Sequence, residues 1–314
     1  MLAQEMRQVN REHENVRRQA LRQRRSVAPY LFLLPGVILV IVWVYYPFLQ
    51  TFWLSLFHGN LVGGPARFVG LQNYRLMLQL PEFQQALQNT VIYIFGISVC
   101  AVIIPLCIAL LLVKVSPLMQ RIYQGFLFLP VMLAPIVVSI IWFWLLNPVQ
   151  GVCSQLLSHL LGWNIPDLLN DPTTAIWTII GITSWQMFGV SLSLIFAVII
   201  GINRQYLDAA RIDGASEWQI FCYITLPLLT PLLSFLLLYT VLFAGQWAFG
   251  PINVLTQGGP GNTTTNIYYL LYQFGFVFFN TGEASALAVM LFLVLGSGAI
   301  IEVYMLDRKV HYDN

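Results

Sequence analysis

Six apolar stretches, each long enough to cross a lipid bilayer, constrain this chain more than any other feature of its sequence. A membrane-spanning helix needs about 20 predominantly apolar residues. The stretches that meet this length are 28–54, 86–113, 122–146, 174–200, 228–249 and 284–305. Of the 314 residues, 58% are hydrophobic and 9% are charged, whereas a soluble domain has about 25% charged residues. We therefore predict an all-α membrane protein with six transmembrane helices.

The positions of the lysines and arginines predict the orientation of these helices. Positive residues concentrate in cytoplasmic loops. Seven arginines precede residue 26. The other positive residues that six spans would place on the same side are Lys114, Arg121, Arg204, Arg211, Arg308 and Lys309. Only Arg67 and Arg75 fall on the opposite side, so both termini and the segment 201–227 are expected in the cytoplasm.

One membrane domain, residues 28–306, accounts for most of the chain. A basic cytoplasmic tail, residues 1–27, precedes it, and a short cytoplasmic tail, residues 307–314, follows it. The first apolar stretch is longer than the roughly 7–15 apolar residues of a cleavable signal peptide, so we expect it to be an uncleaved first helix. The basic tail is either a solvated segment that sets the topology or a helix lying on the membrane surface.

The outer segments 55–85, 147–173 and 250–283 contain turn signals such as Gly63-Gly64-Pro65 and are expected to be loops. None of them is long enough to form a separate domain. Another chain is therefore expected to capture the ligand from solution.

The apolar stretches contain few ionisable side chains, which argues against several classes of function. Glu283 and Glu302 lie near the two ends of the last stretch, Glu283 immediately before it and Glu302 within it, and the other stretches contain no charged residue. An ion-coupled carrier uses buried ionisable residues, and a membrane-embedded enzyme needs convergent catalytic groups. Neither set is present, so no catalytic residue is expected.

No nucleotide or metal site is expected on this chain either. The P-loop pattern GxxxxGK[ST] does not occur, so ATP and Mg²⁺ would bind to a partner chain. The four cysteines and four histidines have no spacing typical of a metal site or of a disulfide framework.

A charged, alanine-rich segment, DAARIDGASEWQIFCYITLPLLTP (208–231), separates the fourth and fifth apolar stretches. Each charge at the bilayer centre would cost about 2.5–3.5 kcal/mol, so the segment is expected to lie outside the membrane. Asp208 is predicted to begin one short helix, because a carboxylate favours a helix N-terminus. Gly214 permits a turn, and Asp213 is predicted to cap a second helix from Ala215 to about Ile224.

The small side chains Ala209, Ala210, Gly214, Ala215 and Ser216 leave a face that another protein can approach closely. Pro227 and Pro231 are expected to mark the entry to the fifth span. Physical chemistry alone leaves two interpretations open. The segment either docks onto a partner or packs against its own helix bundle.

The segment resembles the EAA motif, commonly E-A-A-x-x-D-G-A-x8-I-x-L-P, of the membrane subunits of binding-protein-dependent ABC importers. The matching residues are Asp208, Ala209, Ala210, Asp213, Gly214, Ala215, Phe221, Ile224, Leu226 and Pro227. Asp208 departs from the usual glutamate and is shorter by one methylene group. The stretches FVGLQNYRLML (68–78), NPVQG (147–151) and LTQGGPGNTTT (255–265) resemble the sugar branch of these permeases, which contains the maltose and glycerol-phosphate importers.

The resemblance implies a type I ABC importer permease in the cytoplasmic membrane of a bacterium or archaeon. The matching residues, with Arg211, would couple the chain to two cytoplasmic ATPase subunits. A second permease subunit, usually a different chain, and an external solute-binding protein would complete the complex. The binding protein would deliver an oligosaccharide, polyol or sugar-phosphate-like solute to the outer residues Gly258, Gly259, Pro260, Gly261 and Asn262.

Aromatic rings and amides within the spans are candidates for the solute pathway, because sugar sites combine these groups. The candidates are Trp185, Gln186, Gln246 and Trp247. A glutamine that faces lipid is costly, so Gln186 and Gln246 are expected to face the bundle interior, where they could instead bond helices together. The alternative functions are an ion-coupled secondary carrier and a membrane scaffold that transports nothing.

Overall fold

A computed structural model describes residues 28–60, 63–161 and 166–309. The predicted basic tail, residues 1–27, lies outside the described residues, as do residues 310–314 of the predicted C-terminal tail. The α-helices are Ala28–Val40, Tyr46–Leu54, Gln72–Gln79, Pro81–Ser98, Ile104–Leu112, Pro117–Phe128, Pro135–Leu145, Val152–Leu161, Ala175–Gly201, Arg204–Ile212, Glu217–Ile220, Leu226–Pro251, Ile267–Tyr272 and Thr281–Lys309. Helices are joined end to end by π-helical turns at Ile41–Tyr45, Val99–Ile103 and Phe221–Thr225, and π-helical turns extend helix ends at Ile252–Thr256 and Gln273–Val277.

Five continuous helical segments of the described chain are long and apolar enough to cross a membrane. They are Tyr30–Leu54, Pro81–Leu112, Ala175–Gly201, Glu217–Thr256 and Thr281–Tyr304. A sixth span results when the bent helix pair Pro117–Met132 and Pro135–Leu145 is counted as one. Numbered in chain order, the bent pair is the third span. The predicted all-α membrane class with six spans is confirmed on this count.

The prediction of one continuous helix over 122–146 is wrong, because the third span bends by 100° within that range. A 3-10 turn, Leu129–Met132, ends its inner half, and Pro135 begins its outer half. Proline has no N–H to donate, and the residue before a proline avoids the helical conformation. Leu133 and Ala134 accordingly have extended backbones, with ψ of 140° at both residues. We call residues 129–134 the knee.

The described residues form two compact units, one up to Trp53 and the other from Leu54 onward. Within the second unit, the fourth span is the central helix. It has apolar residues on all sides, which is typical of a buried helix. One cluster of buried residues joins it to the second and fifth spans through Tyr93, Ile179 and Ala244, and a second cluster joins the same spans through Leu112, Leu192 and Leu229.

The segment 55–85, which we predicted to be a loop, contains a hairpin and a helix. Strands Phe57–Asn60 and Gly63–Phe68 pair antiparallel, and helix Gln72–Gln79 follows. Nδ2 of Asn73 donates to the carbonyl oxygens of Ser55 and Phe57, at 2.8 and 2.9 Å. Short helices also occur in the other two predicted loops, at Val152–Leu161 and Ile267–Tyr272. These helices are too short for their periodicity to stand out from the turn residues around them.

Candidate functional site

The first half of the segment between the fourth and fifth spans, residues 203–227, is a two-turn helix. We call residues 203–227 the inter-span segment. Asn203 caps the helix Arg204–Ile212, because its Oδ1 accepts a hydrogen bond from the backbone N–H of Gln205 at 3.0 Å. The prediction that Asp208 begins this helix is wrong. Asp208 is the fifth residue of the helix, since the cap already lies at Asn203.

Arg211 joins the two halves of the inter-span segment by ion pairs. Its NH1 lies 3.2 Å from Oδ1 of Asp208, and its Nε lies 3.1 Å from Oε1 of Glu217. The hydrogen bond and charge of Glu217, with a smaller contribution from Asp208, raise the pKa of the Arg211 guanidinium. All three side chains are exposed, so solvent and salt screen these pairs. They orient the segment more than they stabilise it.

A Schellman motif ends the first helix at Gly214. Gly214 has a φ of +82°, which glycine adopts more readily than any other residue. Its N–H donates to the carbonyl of Arg211 at 3.1 Å, and the N–H of Ala215 donates to the carbonyl of Ala210 at 3.0 Å. These two bonds satisfy carbonyls that the helix end would leave open. The predicted glycine turn is confirmed.

Ser216, and not Asp213 as predicted, caps the second helix. Asp213 is the C-cap of the first helix, directly after Ile212, and the turn at Gly214 separates it from the second helix. The backbone N–H of Gln219 donates to Oγ of Ser216 at 3.3 Å, and the N–H of Ser216 donates to Oε1 of Gln219 at 2.8 Å. This reciprocal capping box has the signature S-x-x-Q. The sequence analysis missed it, although Ser216-Glu217-Trp218-Gln219 carries the signature.

The second helix continues into the fifth span without a boundary, so the predicted end near Ile224 is wrong. Helical structure runs from Glu217 to Thr256 over 40 residues. Pro227 has no N–H to offer to the carbonyl of Tyr223, and a π-helical turn, Phe221–Thr225, absorbs the missing bond. Movement of the inter-span segment would therefore pass directly into the membrane.

The residues of the EAA motif form a surface on the inter-span segment. A cleft of about 350 Å³ is lined by Ala210, Asp213, Gly214, Ala215, Gln219, Ile220, Tyr223 and Ile224. The predicted coupling residues are Asp208, Ala209, Ala210, Arg211, Asp213, Gly214, Ala215, Phe221, Ile224, Leu226 and Pro227. Each of these is exposed or half-buried. Large apolar side chains surround them, with Ile212, Trp218 and Tyr223 at 86, 71 and 79% exposure. Exposed large apolar side chains grouped in this way are typical of interaction surfaces.

The predicted solute-pathway residues separate into a buried and an accessible group. Gln186 is fully buried, as expected, and its Nε2 donates to the carbonyl of Leu133 at 2.8 Å. Trp185 is accessible and contacts Trp142, with ring centroids 5.7 Å apart. Trp247 is half-buried against the core.

The prediction that Gln246 faces the bundle interior is wrong within this single chain. Ala244, Gly245 and Ala248 occupy the buried face of the fifth span, so Gln246 lies on the opposite, exposed face. The span is apolar around its whole circumference, and its sequence therefore does not indicate which face packs inward.

A row of aromatic rings extends the exposed face that carries Gln246. Phe235, Tyr239 and Phe243 follow each other at four-residue spacing, with successive ring centroids 6.5 and 5.0 Å apart. We call these three residues the aromatic ladder. The sequence analysis missed it, although i, i+4 spacing places such residues on one face of a helix.

The outer turn, residues 255–265, is bound tightly to the second span. Nδ2 of Asn89 donates to the carbonyls of Asn262 and Thr265, at 3.0 and 2.9 Å. The hydroxyl of Tyr93 donates to the carbonyl of Thr264 at 3.1 Å. Gly258 and Gly261 have φ of +85° and +57°, so both need the freedom of glycine.

The residues predicted to contact a binding protein differ in their accessibility. Gly261 is exposed, and Gly259, Pro260 and Asn262 are half-buried. Gly258 is buried, because Thr265 and Tyr269 lie against it. Among the described residues, His, Cys, Asp and Glu side chains form no group of three that could hold a metal ion.

Sequence comparison identifies a matching family. The family profile described as "Binding-protein-dependent transport system inner membrane component" matches residues 101–312. The sn-glycerol-3-phosphate transport system permease protein UgpA of Pectobacterium atrosepticum is 29% identical over 291 residues, which are 92% of this chain and 97% of UgpA. The probable ABC transporter permease protein YurN of Bacillus subtilis is 32% identical over 275 residues, which are 86% of this chain and 92% of YurN.

Structure comparison finds the same architecture in solved transporters. A chain of a bacterial ABC transporter that imports the acidic polysaccharide alginate aligns with a TM-score of 0.81 and 22% identity, over 94% of this chain and 100% of that one. The alginate transporter in complex with its pentasaccharide-bound periplasmic protein aligns with a TM-score of 0.79, also at 22% identity, over 91% of this chain and 96% of that one. These alignments establish the fold.

Proposed function

The chain belongs to the binding-protein-dependent transport system inner membrane components, and we propose that it forms one half of a translocation pathway for a carbohydrate. It is a multi-pass permease subunit of the inner membrane. The ABC-permease resemblance of the 208–227 motif and the predicted type I importer fold are both confirmed. What remains to be assigned is which residues couple the chain to an ATPase, which line the pathway, and which solute passes through it.

One observation carries the coupling role that we propose: the second helix of the inter-span segment and the fifth span form one continuous helix. Forty helical residues from Glu217 to Thr256 measure about 60 Å, roughly twice the thickness of the hydrocarbon core. A force applied near Trp218 would therefore move the whole fifth span. The capping box at Ser216 and the Schellman turn at Gly214 hold the start of this lever in a fixed shape.

The partner that applies this force is, we propose, one of two cytoplasmic ATPase subunits. ATP and Mg²⁺ would bind to that partner and not to this chain. The cleft beside Ala210, Gly214 and Ala215 would accept a projecting side chain of the ATPase, and the exposed rings of Trp218 and Tyr223 would be covered by it. Small side chains beside exposed aromatic rings are typical of the centre of a protein interface.

The solute pathway is proposed to follow the exposed face of the fifth span. The amide of Gln246 lies on that face with the aromatic ladder Phe235, Tyr239 and Phe243, of which Tyr239 is half-buried. We assign Trp247, half-buried against the core, and the accessible Trp185 of the fourth span to the same pathway. An exposed amide would be costly against lipid. A second permease subunit would cover this face and enclose the pathway between the two chains. Gln186 would support the wall from behind, because it is fully buried.

The chemistry of this lining favours an uncharged sugar or polyol. Aromatic rings cover the apolar face of a pyranose, and amides pair with its hydroxyl groups. A phosphate or uronate group would require arginine or lysine, and the lining set named above contains neither. A sugar phosphate or acidic oligosaccharide would therefore need cations from the second subunit.

The outer turn is proposed to receive the solute-binding protein. Its tip at Gly261 is exposed, and Asn89 and Tyr93 fix its backbone from below. A rigid turn loses little conformational entropy on docking. The family name itself requires such a protein, and an alginate transporter of the same fold has been seen bound to its own.

Uptake measurements in proteoliposomes test the proposed solute class. The complete complex is purified through a tag on this chain and supplied with internal ATP and external binding protein. The solutes are radiolabelled maltose, glycerol, glycerol 3-phosphate and an alginate oligosaccharide. We expect ATP-dependent accumulation of a neutral sugar or polyol that persists when ion gradients are collapsed. Accumulation of only the charged solutes would contradict the proposed lining, and uptake that stops with the ion gradient would support a secondary carrier.

A further inference from the structure

The knee of the third span is enclosed between the fourth and fifth spans at two glycines. A Cβ atom on Gly189 would lie 2.6 Å from the carbonyl oxygen of Leu127, just before the knee. A Cβ atom on Gly250 would lie 3.0 Å from Cβ of Pro135, just after it. Each half of the third span therefore meets a neighbouring helix by close backbone approach. Contacts without interlocking side chains allow helices to slide.

A single side chain bridges the fourth span and the knee by a hydrogen bond. Gln186 lies one turn before Gly189 on the same face of the fourth span, and its Nε2 donates to the carbonyl of Leu133 at 2.8 Å. The break in the third span removes helical partners from several backbone groups. Within a membrane such groups must find another partner, and Gln186 supplies one to Leu133.

The same region contains buried polar atoms that lack hydrogen-bond partners. They are Oε1 of Gln186, Oγ1 of Thr183 and Oγ of Ser184. Buried polar atoms are nearly always paired, and exceptions require an explanation. Three such atoms lie within one turn of the fourth span, beside the hydrogen bond from Gln186 to the knee, so a second arrangement of the knee has unpaired groups that it can bond.

We infer that the knee is a two-state joint and that Gln186 is the positioning residue that holds it in the conformation described here. This inference rests on the proposed transport function and deepens it. Release of the Leu133 carbonyl frees the outer half of the third span, Pro135–Leu145, to move against the inner half. Trp142 lies on that outer half and contacts Trp185 of the proposed pathway. Movement at the knee therefore changes the width of the pathway beside Trp185.

The variant Gln186→Met tests this role, because it keeps the length of the side chain and removes the donor. In the proteoliposome assay, with the solute that the wild-type complex accumulates, we expect the maximal uptake rate to fall about 3- to 20-fold, the effect of one interhelical hydrogen bond. The KM for the solute should stay within about twofold, since Gln186 does not touch it. Gln84→Met is the matched control, because it also removes a glutamine Nε2 that donates to a backbone carbonyl, that of Leu78 at 3.3 Å, but at an exposed position on the second span, and its uptake should equal that of the wild type.

Two kinetic results would overturn the inference. A raised KM with an unchanged maximal rate would make Gln186 a solute contact. Kinetics equal to those of the wild type would remove any role for the hydrogen bond. If even the wild-type complex accumulates none of the four solutes, that result contradicts the proposed solute class and not the joint. The spin-label distances across the knee then decide the inference.

Distances across the knee test the joint with Gln186 in place. Spin labels at Met119 and Val149, both exposed and on opposite sides of the knee, are introduced into the complex after replacement of Cys100, Cys107, Cys153 and Cys222. We expect the label distance to differ between the nucleotide-free and the ATP–vanadate-trapped complex, and Gln186→Met to shift the nucleotide-free distance distribution. One unchanged distance in both states of the wild type would show a rigid bend and would refute the inference.

Discussion

Substitution of Gly214 isolates the role of the turn in docking, because the backbone of this residue is demanding and its surroundings are open. Its φ is +82°, and no atom lies within 4 Å of the position that a Cβ would occupy. Alanine at this position would therefore meet no steric clash. Its entire cost comes from the left-handed backbone, which disfavours an L-residue by about 1–2 kcal/mol.

That cost predicts a graded loss of ATPase binding. If docking requires the turn described here, 1–2 kcal/mol corresponds to about 5- to 30-fold weaker binding for Gly214→Ala. Gly214→Asn should lose less, because asparagine tolerates the left-handed region. Gly214→Pro should lose most, since proline fixes φ near −65° and also removes the N–H that donates to the Arg211 carbonyl at 3.1 Å.

Titration of a fluorescent ATPase subunit onto the solubilised permease measures these differences, and membrane insertion of each variant is checked by its yield and topology. Gly201→Ala is the matched control, because Gly201 also has open surroundings but no left-handed φ. Its ATPase binding should equal that of the wild type. Binding of Gly214→Ala and Gly214→Pro within twofold of the wild type would refute the claim that the turn shapes the docking surface.

Three further substitutions test other parts of the account. Ser216→Ala removes the capping box and should weaken ATPase binding about fivefold, the equivalent of about 1 kcal/mol. Backbone amides over 217–220 should also exchange faster with solvent. An unchanged exchange rate would contradict the claim that Ser216 caps this helix. Asn89→Ala removes both hydrogen bonds to the carbonyls of Asn262 and Thr265. It should lower the stimulation of ATP hydrolysis by the binding protein, while hydrolysis without the binding protein persists. Stimulation equal to that of the wild type would contradict the proposal that the outer turn receives the binding protein. Phe243→Ala should raise the KM for the sugar about 3- to 10-fold, because the sugar loses its contact with the ring. Leu237→Ala, on another face of the fifth span, should leave the KM unchanged. A KM of Phe243→Ala equal to that of the wild type would exclude the aromatic ladder from the pathway.

The sequence predicts the membrane spans and the glycine turn because each depends on a local property. Span length follows from the thickness of the bilayer, and Gly214 follows from the need for a positive φ. The capping box at Ser216 could also be predicted from the sequence, since its signature is four residues long. The competing carboxylate of Asp213 drew the prediction one turn too early, and Asp208 was placed at a helix start that Asn203 already provides.

The bend of the third span and the orientation of Gln246 depend on packing between helices. Prolines at 130 and 135 indicate a break, but its angle of 100° depends on how the two halves pack against the other spans, which approach them closely at Gly189 and Gly250. Gln246 lies on a span that is apolar all round, so hydropathy does not distinguish its faces. Both features require knowledge of the neighbours of each helix.

Photo-crosslinking from the inter-span segment tests the central claim most directly. A photoreactive phenylalanine analogue replaces Trp218, which is 71% exposed, and the chain is irradiated in native membranes before its adducts are identified by mass spectrometry. The account predicts adducts to a cytoplasmic chain that contains a P-loop, and their loss in the presence of Gly214→Pro. Adducts only to lipid or to this chain itself, in membranes where the transport complex is intact, would contradict the claim that residues 208–227 couple the permease to an ATPase.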